Sequence, residues 1–188
     1  MSSTRRIVLA VTGASGMEYA RSLARALRSA PGVELHGIVS DAARQVFRHE
    51  LGTDPAELDA FFHVIHEPEN IAAGPASGSW EHSGMIVCPC SMASLAAIAT
   101  GVGTNLIHRA ADVALKERRT LVLVPRETPL NDIHLENMLR ARRSGAVIMP
   151  PCPGFYHRPQ SVEALVAQFT GRIMEQLSLP HDLYARWS

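Results

Sequence analysis

Five short apolar runs punctuate the chain, and between them apolar positions recur at helical spacing. The runs Ile7–Thr12, Glu34–Val39, Met85–Cys90, Leu121–Pro125 and Ala146–Met149 are rich in Val, Ile and Leu and nearly continuous rather than alternating. Such runs read as strands of a parallel sheet covered on both faces. Helices are expected over Met17–Ser29, Asp41–Leu51, Met92–Thr100, Asn105–Glu117 and Asn131–Ser144. A last helix, Val162–Leu177, aligns Val162, Leu165, Val166, Phe169, Ile173 and Leu177 as one stripe expected to be buried. Strand–helix alternation predicts an α/β fold with a doubly wound sheet and right-handed crossovers. Ligands of such sheets sit at the carboxyl ends of the strands.

The length of 188 residues fits one domain, 1–188, with a C-terminal helix and tail and no repeat, low-complexity tract or linker. Eighteen basic residues balance eighteen acidic ones, which argues against a sequence-independent nucleic-acid binder. No apolar run reaches the ~18 residues that span a bilayer, and Ile7–Val11 is too short for a signal-peptide core. Cys88, Cys90 and Cys152 lack zinc-type spacing and are expected to be buried free thiols in a reducing cytoplasm. The nine histidines are scattered, so no metal is assigned.

Chemistry concentrates at the strand ends. Gly13-Ala14-Ser15-Gly16 follows the first strand; it reads either as a plain strand-to-helix turn or as a turn whose helix offers N–H groups to an anion. Ser40 suits a helix N-cap, and Glu50 reads as a solvated helix-end carboxylate. Ser91-Met92-Ala93-Ser94 repeats the strand-to-helix geometry, and Ser77-Gly78-Ser79 puts further hydroxyls in a loop. Arg109 and Lys116 return to one helix face about 10 Å apart, with Asp112 between them. That face is either a solvated ion-pair network or a site for a second anionic group. Arg126-Glu127, between Pro125 and Pro129, places opposite charges at a strand end. The loop Pro150–Pro159 holds Phe155 and Tyr156 among four prolines.

Together these segments resemble the UbiX-type flavin prenyltransferases from Ile7 to Trp187. Asn105–Glu127, Ile133–Leu139 and Met149–Gln160 match the family pattern in order and spacing, as does the closing Leu183-Tyr184-Ala185-Arg186-Trp187. The resemblance implies a Rossmann-like (flavodoxin-like) sheet and an enzyme that joins dimethylallyl phosphate to reduced FMN without a metal. The product, prenylated FMN, would serve a UbiD-type decarboxylase in ubiquinone biosynthesis or aromatic acid metabolism. It also implies a cytoplasmic homo-oligomer, a dodecamer with sites between subunits, so that Lys116 serves a neighbour.

By position, Gly13, Ala14, Ser15, Ser40, Ser91, Met92, Ala93, Ser94 and Arg126 match FMN contacts, and Tyr156 and Arg172 match dimethylallyl phosphate contacts. Arg109 and Lys116 match basic residues of the shared site, and Glu50 and Glu127 its carboxylates. Ser15, Glu50, Lys116 and Glu127 are thereby the catalytic candidates. Two departures stand out: Met17, expected to narrow the region near the ligand, and Asp41 where Lys is common. Two alternatives stay open, a flavin-carrying accessory subunit of an aromatic acid decarboxylase and a flavin-dependent cysteine decarboxylase. The latter class relies on an early catalytic His and an Asn/Met-rich motif; His49 and Asn137-Met138 stand in other contexts.

Overall fold

In the computed structural model, which describes residues 4–185, six parallel strands form one sheet in the order β3-β2-β1-β4-β5-β6. The strands are β1 (Arg5–Val11), β2 (Val33–Val39), β3 (Val64–His66), β4 (Gly84–Cys90), β5 (Leu121–Pro125) and β6 (Val147–Ile148). The helices are α1 (Met17–Ser29), α2 (Asp41–Leu51), α3 (Ala56–Asp59), α4 (Met92–Thr100), α5 (Leu106–Lys116), α6 (Asp132–Arg143) and α7 (Val162–Gln176). The matched tail residues Arg186 and Trp187 lie outside the described residues, as do residues 1–3 at the start of the proposed domain.

The order 3-2-1-4-5-6 is that of a Rossmann sheet, and without the short edge strand β3 it reduces to the flavodoxin order. The chain leaves β1 for β2 on one side and returns to β4 on the other. The topological switch point therefore lies between the carboxyl ends of β1 and β4.

Alternation along β1 explains why both faces are covered. Ile7, Leu9 and Val11 pack with Leu23 and Leu27 of α1 and Phe169 and Ile173 of α7, whereas Val8 and Ala10 pack with Leu95 of α4 and Ala110 and Ala114 of α5. Met17 is fully buried in the first of these layers, so it fills the core beneath α1 and does not narrow a ligand site. The α7 stripe is buried from Val166 to Leu177, but Val162 is 66% exposed because the first turn of the helix overhangs the core. Cys88 and Cys90 are buried thiols pushed up by burial, the latter to about 12, while Cys152 is exposed, contrary to expectation. Cys152 lies in the loop after β6, beyond the core.

Candidate active site

Thr12 joins the two strands at the switch point. Its N–H and Oγ1 donate to the Pro89 carbonyl at 3.2 and 2.9 Å, and Oγ1 accepts the Ser91 N–H at 2.7 Å. The residue is 2% exposed, so these bonds fix the Gly13 turn against the start of α4. On the other side, a Cβ added to Gly13 would lie 2.5 Å from Ala42 Cβ, which brings the turn against the first turn of α2.

Gly16 starts α1 with φ 109°, a left-handed conformation that glycine adopts without a Cβ penalty, and has no side-chain cap of its own. The cap comes from α2. Glu50 accepts the Gly16 N–H at 3.1 and 2.9 Å and the Met17 N–H at 2.8 Å. Glu50 is thus not a freely solvated carboxylate, contrary to expectation: it holds the Gly16 and Met17 N–H groups at the start of α1. Burial alone would raise the Glu50 carboxyl, but hydrogen bonds from Ser15, Met17 and Gly16 and the charge of Arg126 outweigh it and hold the group below its ordinary value.

The neighbouring helix starts keep their donors. Ser40 caps α2 by accepting Ala43 N–H at 3.1 Å, and Ser91 caps α4 by accepting Ser94 N–H at 3.2 Å. Each cap leaves two first-turn N–H groups, those of Asp41 and Ala42 and of Met92 and Ala93, outside the intrahelical pattern. His108 Nε2 lies 3.4 Å from Ser94 Oγ, and burial lowers its pKa.

Arg126 leaves β5 with its N–H on the Cys90 carbonyl at 3.3 Å and its Nε on the Ser15 carbonyl at 3.2 Å. Its two remaining nitrogens have no hydrogen-bond partner among the described residues. The starts of α2 and α4 and the Arg126 guanidinium thus stand at the switch point, a donor set suited to a phosphate monoester. Among the described residues, no group of three or more His, Cys, Asp or Glu side chains could hold a metal ion.

The other predicted residues fall into separate groups. Tyr156 and Arg172 line a cavity of about 690 Å³ beside the C-terminal segment and a smaller one of about 330 Å³ that reaches Cys152. Gln168, 4% exposed, holds the proline-rich loop: it accepts Gly154 N–H at 3.3 Å and donates to Tyr156 OH at 3.4 Å. Arg109 pairs with Asp112 at 2.6 Å and donates to the Ala76 carbonyl at 3.1 Å. Lys116 pairs with Glu117 and not with Asp112. It ends α5 just before β5 begins, at the amino edge of the sheet, opposite the switch point. Glu127 is exposed and accepts the Thr128 N–H at 2.9 Å. The structure therefore unites Gly13–Ser15, Ser40, Glu50, Ser91–Ser94 and Arg126, whereas Lys116 lies at the opposite edge of the sheet.

Sequence reasoning missed Thr12 and Gln168, whose partners become neighbours only on folding. It also left three histidines scattered that the fold gathers: His36 Nδ1 lies 3.0 Å from His66 Nε2, and Trp80 packs against both rings and that of His82.

A family model described as Flavoprotein matches residues 1–174, which gives the class. Flavin prenyltransferase UbiX of Methanothermobacter thermautotrophicus is 44% identical over 188 residues, spanning 100% of this chain and 98% of its own. The crystal structure of AnUbiX (PadA1), in complex with FMN and dimethylallyl pyrophosphate, superposes with a TM-score of 0.95 at 46% identity, over 98% of this chain and 97% of that one. A dodecameric FMN-dependent UbiX-like decarboxylase from Escherichia coli O157:H7 gives a TM-score of 0.94 at 42% identity, over 97% and 99% of the two chains. The chain belongs to the UbiX flavin prenyltransferase family of flavoproteins.

Proposed function

We propose that this chain joins dimethylallyl phosphate to reduced FMN, forming bonds at flavin N5 and C6 and closing a fourth ring. The observation that carries the reading is its full-length match to a relative crystallised with FMN and dimethylallyl pyrophosphate. The donor set at the switch point supports it.

In this reading the first-turn N–H groups of α2 and α4, the Ser40 and Ser91 hydroxyls and Arg126 hold the FMN phosphate. Gly13, Ala14 and Ser15 form the wall against which the flavin lies. Flavin N5 takes C1 of the dimethylallyl group as the C–O bond breaks, phosphate leaving with the electron pair and N5 losing its proton; a proton added to C2 of the remaining alkene then makes C3 electrophilic, and closure at C6 sheds the C6 proton. Arg172, Tyr156, Arg109 and Lys116 receive the departing phosphate, where preorganised cations meet the charge as it develops. Glu127 takes the proton. Glu50 keeps Ser15 and the α1 start in place, and its depressed pKa suits an anchoring anion better than a proton carrier.

Lys116 ends α5 at the sheet edge opposite the switch point of its own chain, so the reading has it complete a neighbour's site in a homo-dodecamer. A UbiD-type decarboxylase receives the product, and the free thiols Cys88 and Cys90 suit a cytoplasmic enzyme. The whole chain acts as one flavin-binding domain. Anaerobic incubation with reduced FMN and dimethylallyl phosphate tests the reaction: one phosphate is expected per flavin consumed. Release of phosphate without loss of FMN would refute transfer.

A further inference from the structure

Arg172 does not face its cavity alone. Its Nη1 donates to Glu175 Oε2 at 2.6 Å, one helical turn on, and Tyr184 OH donates to Glu175 Oε1 at 2.7 Å. The His181 ring, with 2% of its side chain exposed, places Nε2 3.4 Å from the same Oε1. The segment after α7 reaches this position because residue 171 is glycine: a Cβ there would lie 2.6 Å from the Tyr184 ring and 2.7 Å from that of His181. Arg172, Glu175, Tyr184 and Tyr156 all line the 690 Å³ cavity.

A half-exposed arginine on a helix has many rotamers, and holding it in one costs side-chain entropy. The carboxylate of Glu175 is tied at both oxygens, so it cannot follow Arg172 as a mobile counterion would. We infer that Glu175 and Tyr184 are positioning residues for Arg172: they pin its guanidinium so that its remaining donors face the phosphate of the prenyl donor. Burial, followed by the Glu175 hydrogen bond, raises the Tyr184 pKa and keeps the hydroxyl a donor.

This inference rests on the proposed role of Arg172 in donor binding, and the test separates the two. Steady-state kinetics with dimethylallyl phosphate, beside FMN titration and thermal melting, are measured for Tyr184→Phe, Glu175→Gln, their double variant and Arg172→Ala. Loss of a charge-assisted hydrogen bond predicts that Glu175→Gln raises the donor KM about tenfold, and Tyr184→Phe by less, with FMN affinity unchanged. Because Tyr184 touches both Glu175 and Arg172, the three act as one unit, and the double variant is expected to raise the donor KM by less than the two single effects combined, whereas independent packing losses would add. An unchanged donor KM in Glu175→Gln and Tyr184→Phe, with Arg172→Ala impaired, overturns the positioning role and leaves the reading of Arg172 intact. An additive double variant also overturns it. Normal donor KM in Arg172→Ala overturns the reading itself.

Discussion

The Glu50 carboxylate accepts the Gly16 N–H at 2.9 Å, so the last turn of α2 supplies the anion that closes the start of α1. A negative group at a helix N-terminus meets both unpaired donors and the positive end of the dipole. Replacing Glu50 with Gln is therefore expected to cost about 1 kcal/mol at neutral pH, a modest value because the residue is exposed to solvent. Since its folded pKa is depressed, the contribution is complete above the ordinary carboxylate range and is lost as pH falls through the folded value. Thermal melts of the two proteins should differ at pH 7 and converge in acid once the pH has fallen below the depressed folded value. A gap that widens in acid would contradict the assignment.

Thr12 is the tie between β1 and β4. Thr12→Val keeps the shape but leaves the half-buried Ser91 N–H without its acceptor, at a cost of about 1–3 kcal/mol. Urea unfolding should show that loss, and FMN affinity should fall with it because the Ser91 cap is displaced. Thr12→Ser, which restores the hydroxyl, is expected to recover most of both. Failure of Ser to rescue would shift the role from the hydroxyl to the methyl group.

Arg126 couples the Ser15 carbonyl to the open donors at the switch point. Arg126→Ala is expected to weaken FMN binding about tenfold or more, read by flavin fluorescence quenching. Lys restores the charge but not the forked geometry, so Arg126→Lys should recover only part of it. Full affinity in the Ala variant would remove Arg126 from the phosphate site.

Lys116 stands at the opposite sheet edge from Arg126. Lys116→Ala and Arg126→Ala are each expected to lose most activity while folding normally. Oligomers reassembled from a mixture of the two should regain activity, because some sites then pair an intact Arg126 with an intact Lys116 from another chain. Mixed oligomers as inactive as their parents would place both residues in one subunit's site.

The strands and long helices were legible because each is a buried apolar run or stripe flanked by its own caps: the expected bounds of α1, α2 and α4 match the structure residue for residue. The edge strand β3 was missed for the opposite reason. It is three residues long, and Val64 and Ile65 are both 38% exposed, so no buried run marks it. The site divided along the same line. Ser40 was readable as a cap because an N-cap bonds three residues ahead, within its own segment. Glu50 and Thr12 were not read in their roles, since their partners lie 34 and 77 residues away and only the strand order brings them close. Arg172 and Glu175 sit one helical turn apart and could have been read as a pair, whereas Tyr184 joins them only through the fold of the C-terminal segment.

The chain changes the flavin covalently and does not merely carry it. The mass of the flavin extracted after anaerobic incubation with reduced FMN and dimethylallyl phosphate tests this most directly. The account predicts FMN heavier by one five-carbon prenyl unit; recovery of only unmodified FMN from folded, flavin-loaded protein would contradict it.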